Sequence, residues 1–315
     1  MKLRFEQIDS GKITTVSLMG RRSTVGIDDF SRAYAKGSSF NDFFNGLPKI
    51  LAGKAFREIV QTLVDVSQRK GMAVLAMGAH PIKVGLSPVI IELIERGVFK
   101  AVALNGACVI HDVEVAMAGK TSEEVAEELD QGTFGMARET AEFINGAIKE
   151  GVTMGLGMGE SIARKLLRED LPHTALSILA TGGQVGIPMT VHVAIGTDVI
   201  HMHPSTDAAA IGEGSYRDFK IFSSVISKLQ GGIFVNLGSA VILPEVFLKA
   251  LSIARNLGHT VDRFTTVNMD FLQHYRPRVN VVDRPTRKGG KGYSLIGHHE
   301  IMFPLLAAAV LEKID

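Results

Sequence analysis

The chain has no tryptophan, only four tyrosines and a single cysteine, Cys108, in 315 residues. One cysteine cannot close an intrachain disulfide, so a reducing, cytoplasmic setting is expected. So few large aromatics argue against a stacking platform for single-stranded nucleic acid. The net charge is +1, which leaves no general basic face for phosphate contacts, and no nucleic-acid partner is expected. No uninterrupted run of about 20 apolar residues occurs, so no membrane-spanning helix is expected either. The opening Met1-Lys-Leu-Arg-Phe-Glu-Gln-Ile-Asp9 is too charged to be a signal peptide.

What the chain does contain is apolar and rhythmic: 46% of its residues are hydrophobic and 21% charged, as in a well-packed enzyme. Residues 1–50 are irregular and are expected to form an arm that packs on the domain or on a partner subunit. This arm carries the polar, glycine-punctuated stretch Asp28–Phe40 and the aromatic pair in Asn41-Asp-Phe-Phe-Asn45. Residues 51–315 read as one domain. Helical spacing from Lys54 ends at Gly71, and Ala73-Val-Leu-Ala-Met77 is a short apolar strand. The cycle repeats with helix Pro88–Glu95 and strand Ala101–Leu104. Helices follow at Ser122–Asp130, Arg138–Lys149 and Ser161–Leu167, then strands at Thr190–Ile195 and Ile233–Leu237. Helix Pro244–Asn256, a strand at Phe264–Asn268 and an apolar helical tail complete the pattern. Two-sided apolar strands separated by helices predict an α/β, doubly wound, mostly parallel sheet with helices on both faces.

Ligands of such sheets bind beyond the carboxyl ends of the strands. The residues that follow the strands are therefore the candidates: Gly78 to Gly85 with His80; Asn105-Gly106-Ala with His111, Asp112 and Glu114; Gly196 to His203 with Asp198; and Gly238-Ser239. Small residues at these ends would let a ligand approach backbone amides. Gly155-Leu-Gly-Met-Gly159 opens a helix and could cradle a phosphate, but it lacks the full G-x-G-x-x-G spacing. Thr181-Gly-Gly-Gln-Val-Gly186 reads as a turn before a strand. His201-Met-His203, with Asp207, has spacing that a metal-dependent hydrolase could use, although structural or substrate-binding histidines suit a strand end equally. His111-Asp112 is an acid–base pair or, alternatively, Asp112 is a helix cap. A final cationic run, Arg284-Pro-Thr-Arg-Lys-Gly-Gly-Lys-Gly-Tyr-Ser294, is either a solvated loop or the home of a reactive lysine.

The order of these motifs resembles the deoxyhypusine synthase family. The likeness runs from about Asp29 to the C-terminus, through Gly53-Lys-Ala, Gly78, Asn105-Gly-Ala, Ile187-Pro, Thr197-Asp198, Leu237-Gly-Ser-Ala-Val, Arg284-Pro and Phe303-Pro-Leu-Leu306. The resemblance implies a Rossmann-like NAD-binding fold and a tetramer of dimers. It also implies a transferase that oxidises an amine to an imine, captures an aminoalkyl group on a lysine and passes it on. Matching positions nominate Gly78, Asn105, Gly106, Asp198, Gly238 and Ser239 for NAD, and Lys291 as the imine-forming lysine. His111, His203 and His299 would move protons, with Arg287, Lys288, His80 and Asp112 toward the substrate. The family's Trp-Gly-Lys is absent, Gly290-Lys291 being its nearest counterpart. Arg287 and His203 stand where the family has acidic residues. That charge reversal implies a small amine or amino-acid-like substrate less cationic than spermidine. A non-catalytic nucleotide-binding homologue is the remaining alternative.

Overall fold

Short runs of small and β-branched residues favour strands only where both faces are covered, and this chain covers them. In a computed structural model that describes residues 5–314, six strands form one all-parallel sheet in the order β3-β2-β1-β4-β5-β6. They are β1 Ala73–Met77, β2 Ala101–Asn105, β3 Met189–His192, β4 Ile233–Leu237, β5 Thr265–Asp270 and β6 Lys291–Ile296. The helices are α1 Phe40–Gly46, α2 Leu51–Gln68, α3 His80–Lys83, α4 Ser87–Glu95, α5 Gly106–Ala118, α6 Val125–Gln131, α7 Arg138–Thr153, α8 Met158–Glu169, α9 Ile178–Val185, α10 Ala208–Ser227, α11 Ile242–Asn256, α12 Tyr275–Pro277 and α13 His299–Leu311. None is long and apolar enough to cross a membrane. Residues Met1 to Arg4, part of the opening stretch weighed above as a signal peptide, lie outside the described residues.

The chain divides into two units, 1–54 and 55–315. The described part of the first unit holds two short 3-10 turns and α1, whose first turn is closed by Ser39 and Asp42 capping each other. Of its aromatic pair, Phe44 is buried and Phe43 exposed.

In the second unit β1 and β4 are fully buried, so neighbours cover them on both faces. On one face Val74, Ala76, Ala101, Ala103 and Phe234 pack against α10 and α11. Phe234 and Phe247 stack there with ring centres 3.9 Å apart. The strand order reverses between β1 and β4, where crossovers leave in opposite directions and open a crevice at the carboxyl edge.

Several local expectations change. The Thr181–Gly186 turn is the second half of α9, because Ser177 caps that helix through a bond from Ala180 N at 3.0 Å. β3 ends at His192 rather than Ile195, since its partner β2 ends opposite at Asn105. The cationic run contains a strand, β6. The glycine-rich Gly155–Gly159 opens α8, but an internal carboxylate occupies its N-terminus. Asp218 Oδ2 accepts from Gly159 N at 2.9 Å and from Val191 N at 2.8 Å. A Cβ on Gly157 would fall 1.9 Å from Asp218 Oδ1, so the glycine admits this side chain rather than a phosphate.

Burial pushes the Asp218 carboxyl up to about 7. A raised carboxyl contributes its stability fully below the unfolded-state value, and that contribution is lost as pH rises toward the folded value. Wild type should therefore lose more stability between pH 5 and pH 8 than Asp218→Asn does, by on the order of 2–3 kcal/mol. Parallel urea titrations of the two proteins at both pH values measure this, and equal losses would refute it.

Candidate active site at the carboxyl edge

The ends of β1 and β4 touch. A Cβ on Gly78 would fall 2.4 Å from the carbonyl oxygen of Gly238, and Gly238 turns the chain with φ of 68°. The space beside Gly238 is filled by His299, whose Cε1 lies 2.6 Å from where a Cβ would stand. These glycines thus admit protein neighbours on their Cα side. Ser239 is buried, and its Oγ accepts from Leu243 N at the start of α11. Beneath the crevice, Asn236 Nδ2 donates to Ser239 O at 2.9 Å and to Asn268 Oδ1 at 2.7 Å, tying the β4 loop to β5.

His80 opens α3 and His299 opens α13, and their Nδ1 atoms are 2.9 Å apart. His299 Nε2 lies 3.2 Å from the carbonyl oxygen of Met269 and 3.8 Å from Asp270 Oδ1. A carbonyl only accepts, so that nitrogen carries the proton. Burial holds the His299 pKa below its ordinary value, so the ring is neutral and its Nδ1 is an acceptor. His80 then donates from Nδ1, which leaves its own Nε2 as a base. Phe271 flanks the pair, its ring centre 5.6 Å from that of His80.

At the ends of β2 and β3 the second group of nominees meets. Asn105 caps α5 by accepting from Cys108 N at 3.0 Å. A Cβ on Gly106 would fall 2.1 Å from Asp198 Oδ2. That oxygen is buried and has no hydrogen-bond partner, and burial raises the Asp198 pKa. Asp198 lines a cavity of about 890 Å³, together with Lys83, His111 and Glu114. Its size suits a cofactor or small substrate.

Other nominees are engaged elsewhere. Asp112 is fully buried and accepts from Ser177 Oγ at 2.5 Å, Ile178 N at 2.7 Å and Leu179 N at 3.2 Å. It caps α9, not the helix that carries it, and no face of it reaches a substrate. Burial pushes its pKa up to about 6. His203 Nδ1 bonds Ser205 Oγ at 2.8 Å. His201 Nδ1 accepts from Gly196 N and Asp198 N, and Asp207 caps α10. Among the described residues no group of three such side chains could hold a metal ion. Lys291 begins β6 opposite Thr265, the first residue of β5, and is exposed. It therefore lies at the amino edge of the sheet, with Arg287 and Lys288 in the exposed loop before it. The structure does not bring these three to the histidines.

Sequence reasoning placed Lys83 in the candidate stretch Gly78 to Gly85 but passed over Asn236, Asn268, Asp270 and Thr121. A signal for the asparagines was available: a polar residue one or two places before the end of an apolar strand. Thr121 has none, because only the fold returns it to α5.

No protein-family model matches the chain, and no curated protein matches its sequence. Solved structures do share its fold. A conserved putative LOR/SDH protein from Methanococcus maripaludis S2 is 15% identical with a TM-score of 0.56, over 93% of this chain and 75% of that one. AgrE, in a ternary complex with ornithine and NAD+, is 14% identical with a TM-score of 0.54 over 82% of this chain. The chain spans about a third of the length of AgrE, 33%. A putative deoxyhypusine synthase from Entamoeba histolytica is 11% identical with a TM-score of 0.52, over 90% of this chain and 96% of that one. At these identities the likeness establishes a Rossmann-like fold and nothing of the chemistry.

Gly238→Ala would combine a left-handed backbone with a clash against His299. It should destabilise the protein by roughly 1–3 kcal/mol and move the imidazole resonances of both His80 and His299 in NMR spectra. Unchanged His80 resonances would show that Gly238 does not hold the pair.

Proposed function

We propose that the protein is an NAD-dependent enzyme acting on a small amine-bearing substrate at the carboxyl edge of the sheet. The observation that carries this reading is Asp198, which lines a cavity at the α5 N-terminus and whose Oδ2 has no hydrogen-bond partner. A ribose diol is the group such an acceptor needs, and acidic residues hold the dinucleotide ribose in Rossmann sheets. Asp198 would hold the ribose, and the N-terminal end of α5 would face the diphosphate. Gly78 and Gly238 meet protein atoms on their Cα side and Ser239 is buried, so this reading gives them a part in shaping the edge and not in contacting the cofactor. Bound there, NAD supplies a two-electron acceptor for a carbon that bears an amine.

His80 Nε2 is the base this reading assigns to the substrate's proton. His299 holds the His80 ring through Nδ1, and the Met269 carbonyl holds His299. The apolar side of Phe271 limits water at the pair. AgrE, which shares the fold, was solved with an amino acid and NAD+ together, and this supports an amine or amino-acid-like substrate. Aminoalkyl transfer through an imine on Lys291 is not part of the proposal, because Lys291 opens β6 at the amino edge.

NAD at about a hundredfold excess over its Kd should stabilise the fold by ~2.7 kcal/mol, read as a rise in Tm, and Asp198→Ala should remove most of that rise. His80→Gln should keep the rise and lose turnover. A Tm unmoved by NAD in the wild type would overturn the proposal and leave a homologue that binds something else.

A further inference from the structure

The cavity beside Asp198 contains a hydrogen-bond chain that the cofactor does not explain. Glu114 accepts a short bond from Thr121 Oγ1 and another from Thr140 Oγ1 at 3.2 Å. Thr121 Oγ1 also lies 2.6 Å from His111 Nδ1. A hydroxyl has one proton, and a carboxylate can only accept. Thr121 therefore gives its proton to Glu114 and accepts from His111. This order fixes His111 with its proton on Nδ1 and leaves Nε2 as an acceptor. Burial and the neighbouring Lys83 ammonium hold the His111 pKa at about 4, so the ring stays neutral near pH 7.

The charges of the wall are unequal in what they lack. Glu114 is engaged by two hydroxyls, Glu123 accepts from Gly135 N at 3.0 Å, and Glu139 pairs with Arg138 at 2.7 Å. Among the described residues no ion pair engages the lining residues Lys83 or Lys120. The cavity thus offers, among four carboxylates (Asp198, Glu114, Glu123 and Glu139), two ammonium groups held in no ion pair, next to a fixed neutral acceptor. A bare polyamine has no group to pair with Lys83, whereas a carboxylate with a nearby N–H donor would meet both of its complements, at Lys83 and at His111 Nε2.

We propose that this cavity selects an amino acid, with its carboxylate against Lys83 and its α-amine donating to Nε2 of His111. His111 contacts the ligand, and Thr121 and Glu114 are positioning residues that set its tautomer. The inference deepens the amine-enzyme proposal above and rests on it for the placing of the cofactor beside this ligand. Lys83 lies one turn along α3 from His80, so the selecting residues and the proposed base share one short element.

The test is calorimetric titration of the full chain, with and without NAD, using three matched ligands. Ornithine carries both groups, 1,4-diaminobutane lacks the carboxylate, and 5-aminopentanoate lacks the α-amine. Ornithine should bind, and each of the others should bind more weakly by roughly tenfold or more. Lys83→Met should erase the preference over the diamine. Thr121→Val should erase the preference over 5-aminopentanoate, and nitrogen-15 spectra of His111 should change from one tautomer to a mixture. Diamine binding as tight as ornithine binding would overturn the proposal. So would a Thr121→Val variant that weakens all three ligands equally, or failure of ornithine and every other common amino acid to bind. The NAD-dependent Tm rise is read on the same samples. If it persists while discrimination is absent, only this inference falls, and if it is absent while discrimination holds, only the cofactor reading falls.

Discussion

The backbone contact between Gly78 and Gly238 governs the geometry of the carboxyl edge. These residues end the two central strands at the point where strand order reverses, and a side chain on Gly78 would strike the Gly238 carbonyl at 2.4 Å. Because they meet without side chains, the β4 loop turns back sharply and leaves a slot that His299 fills. His299 then fixes His80, and the Asn236–Asn268 pair below fixes the loop from beneath. Enlarging either glycine would displace a histidine as well as strain the backbone. The crevice and the proton-carrying pair are thus consequences of one close approach.

Two buried aspartates and one half-buried one show how this fold separates architecture from chemistry. Burial raises the pKa of Asp112, Asp198 and Asp218 alike. Asp112 and Asp218 are met by backbone N–H groups at the starts of α9 and α8, where the helix dipole favours a carboxylate. They stand where an anionic ligand would otherwise bind, and so they close those helix ends to function. Asp198 lines a cavity, and its Oδ2, like Asp218 Oδ1, has no hydrogen-bond partner. An unsatisfied buried acceptor costs on the order of 1–3 kcal/mol, which a ligand donor can recover.

Much of the core was legible in the chain. β1 is a continuous apolar run, β2 and β4 are apolar but for one asparagine each, and Gly97 marks the end of a helix with a φ of 68°. β6 was not legible because it is an edge strand: it contains Gly292, exposes most of its residues and buries only Leu295. α10 was missed because its small and polar residues, such as Gly212, Gly214 and Ser215, blur the helical period, yet Gly214 lets it lie close to Met158 of α8 and Ser215 bonds Val191 O of β3. Of the nominated site residues, His80, His299, Gly78 and Gly238 converge at the crevice, and Gly106, Asp198 and His111 converge at the cavity. Lys291, Arg287 and Lys288 were nominated for their charge and their order in the chain, neither of which says at which edge of a sheet a loop will lie.

By itself the sequence determined the class of fold. Two-sided apolar strands alternating with helices can bury their faces only as a parallel sheet covered on both sides. It also determined which residues follow the strands, and hence where most of the polar side chains of the carboxyl edge come from. Only the tertiary structure decided the partners. Strand order placed β4 beside β1 and left β6 at the edge, with Lys291 at the far end of its strand. Long-range packing brought Thr121 back onto His111, Ser177 onto Asp112 and His299 onto His80, over separations that local propensity does not encode. Hydrogen bonds of 2.5–3 Å depend on that packing to a fraction of an ångström, and they decide which buried group is a cap and which is left open for a ligand.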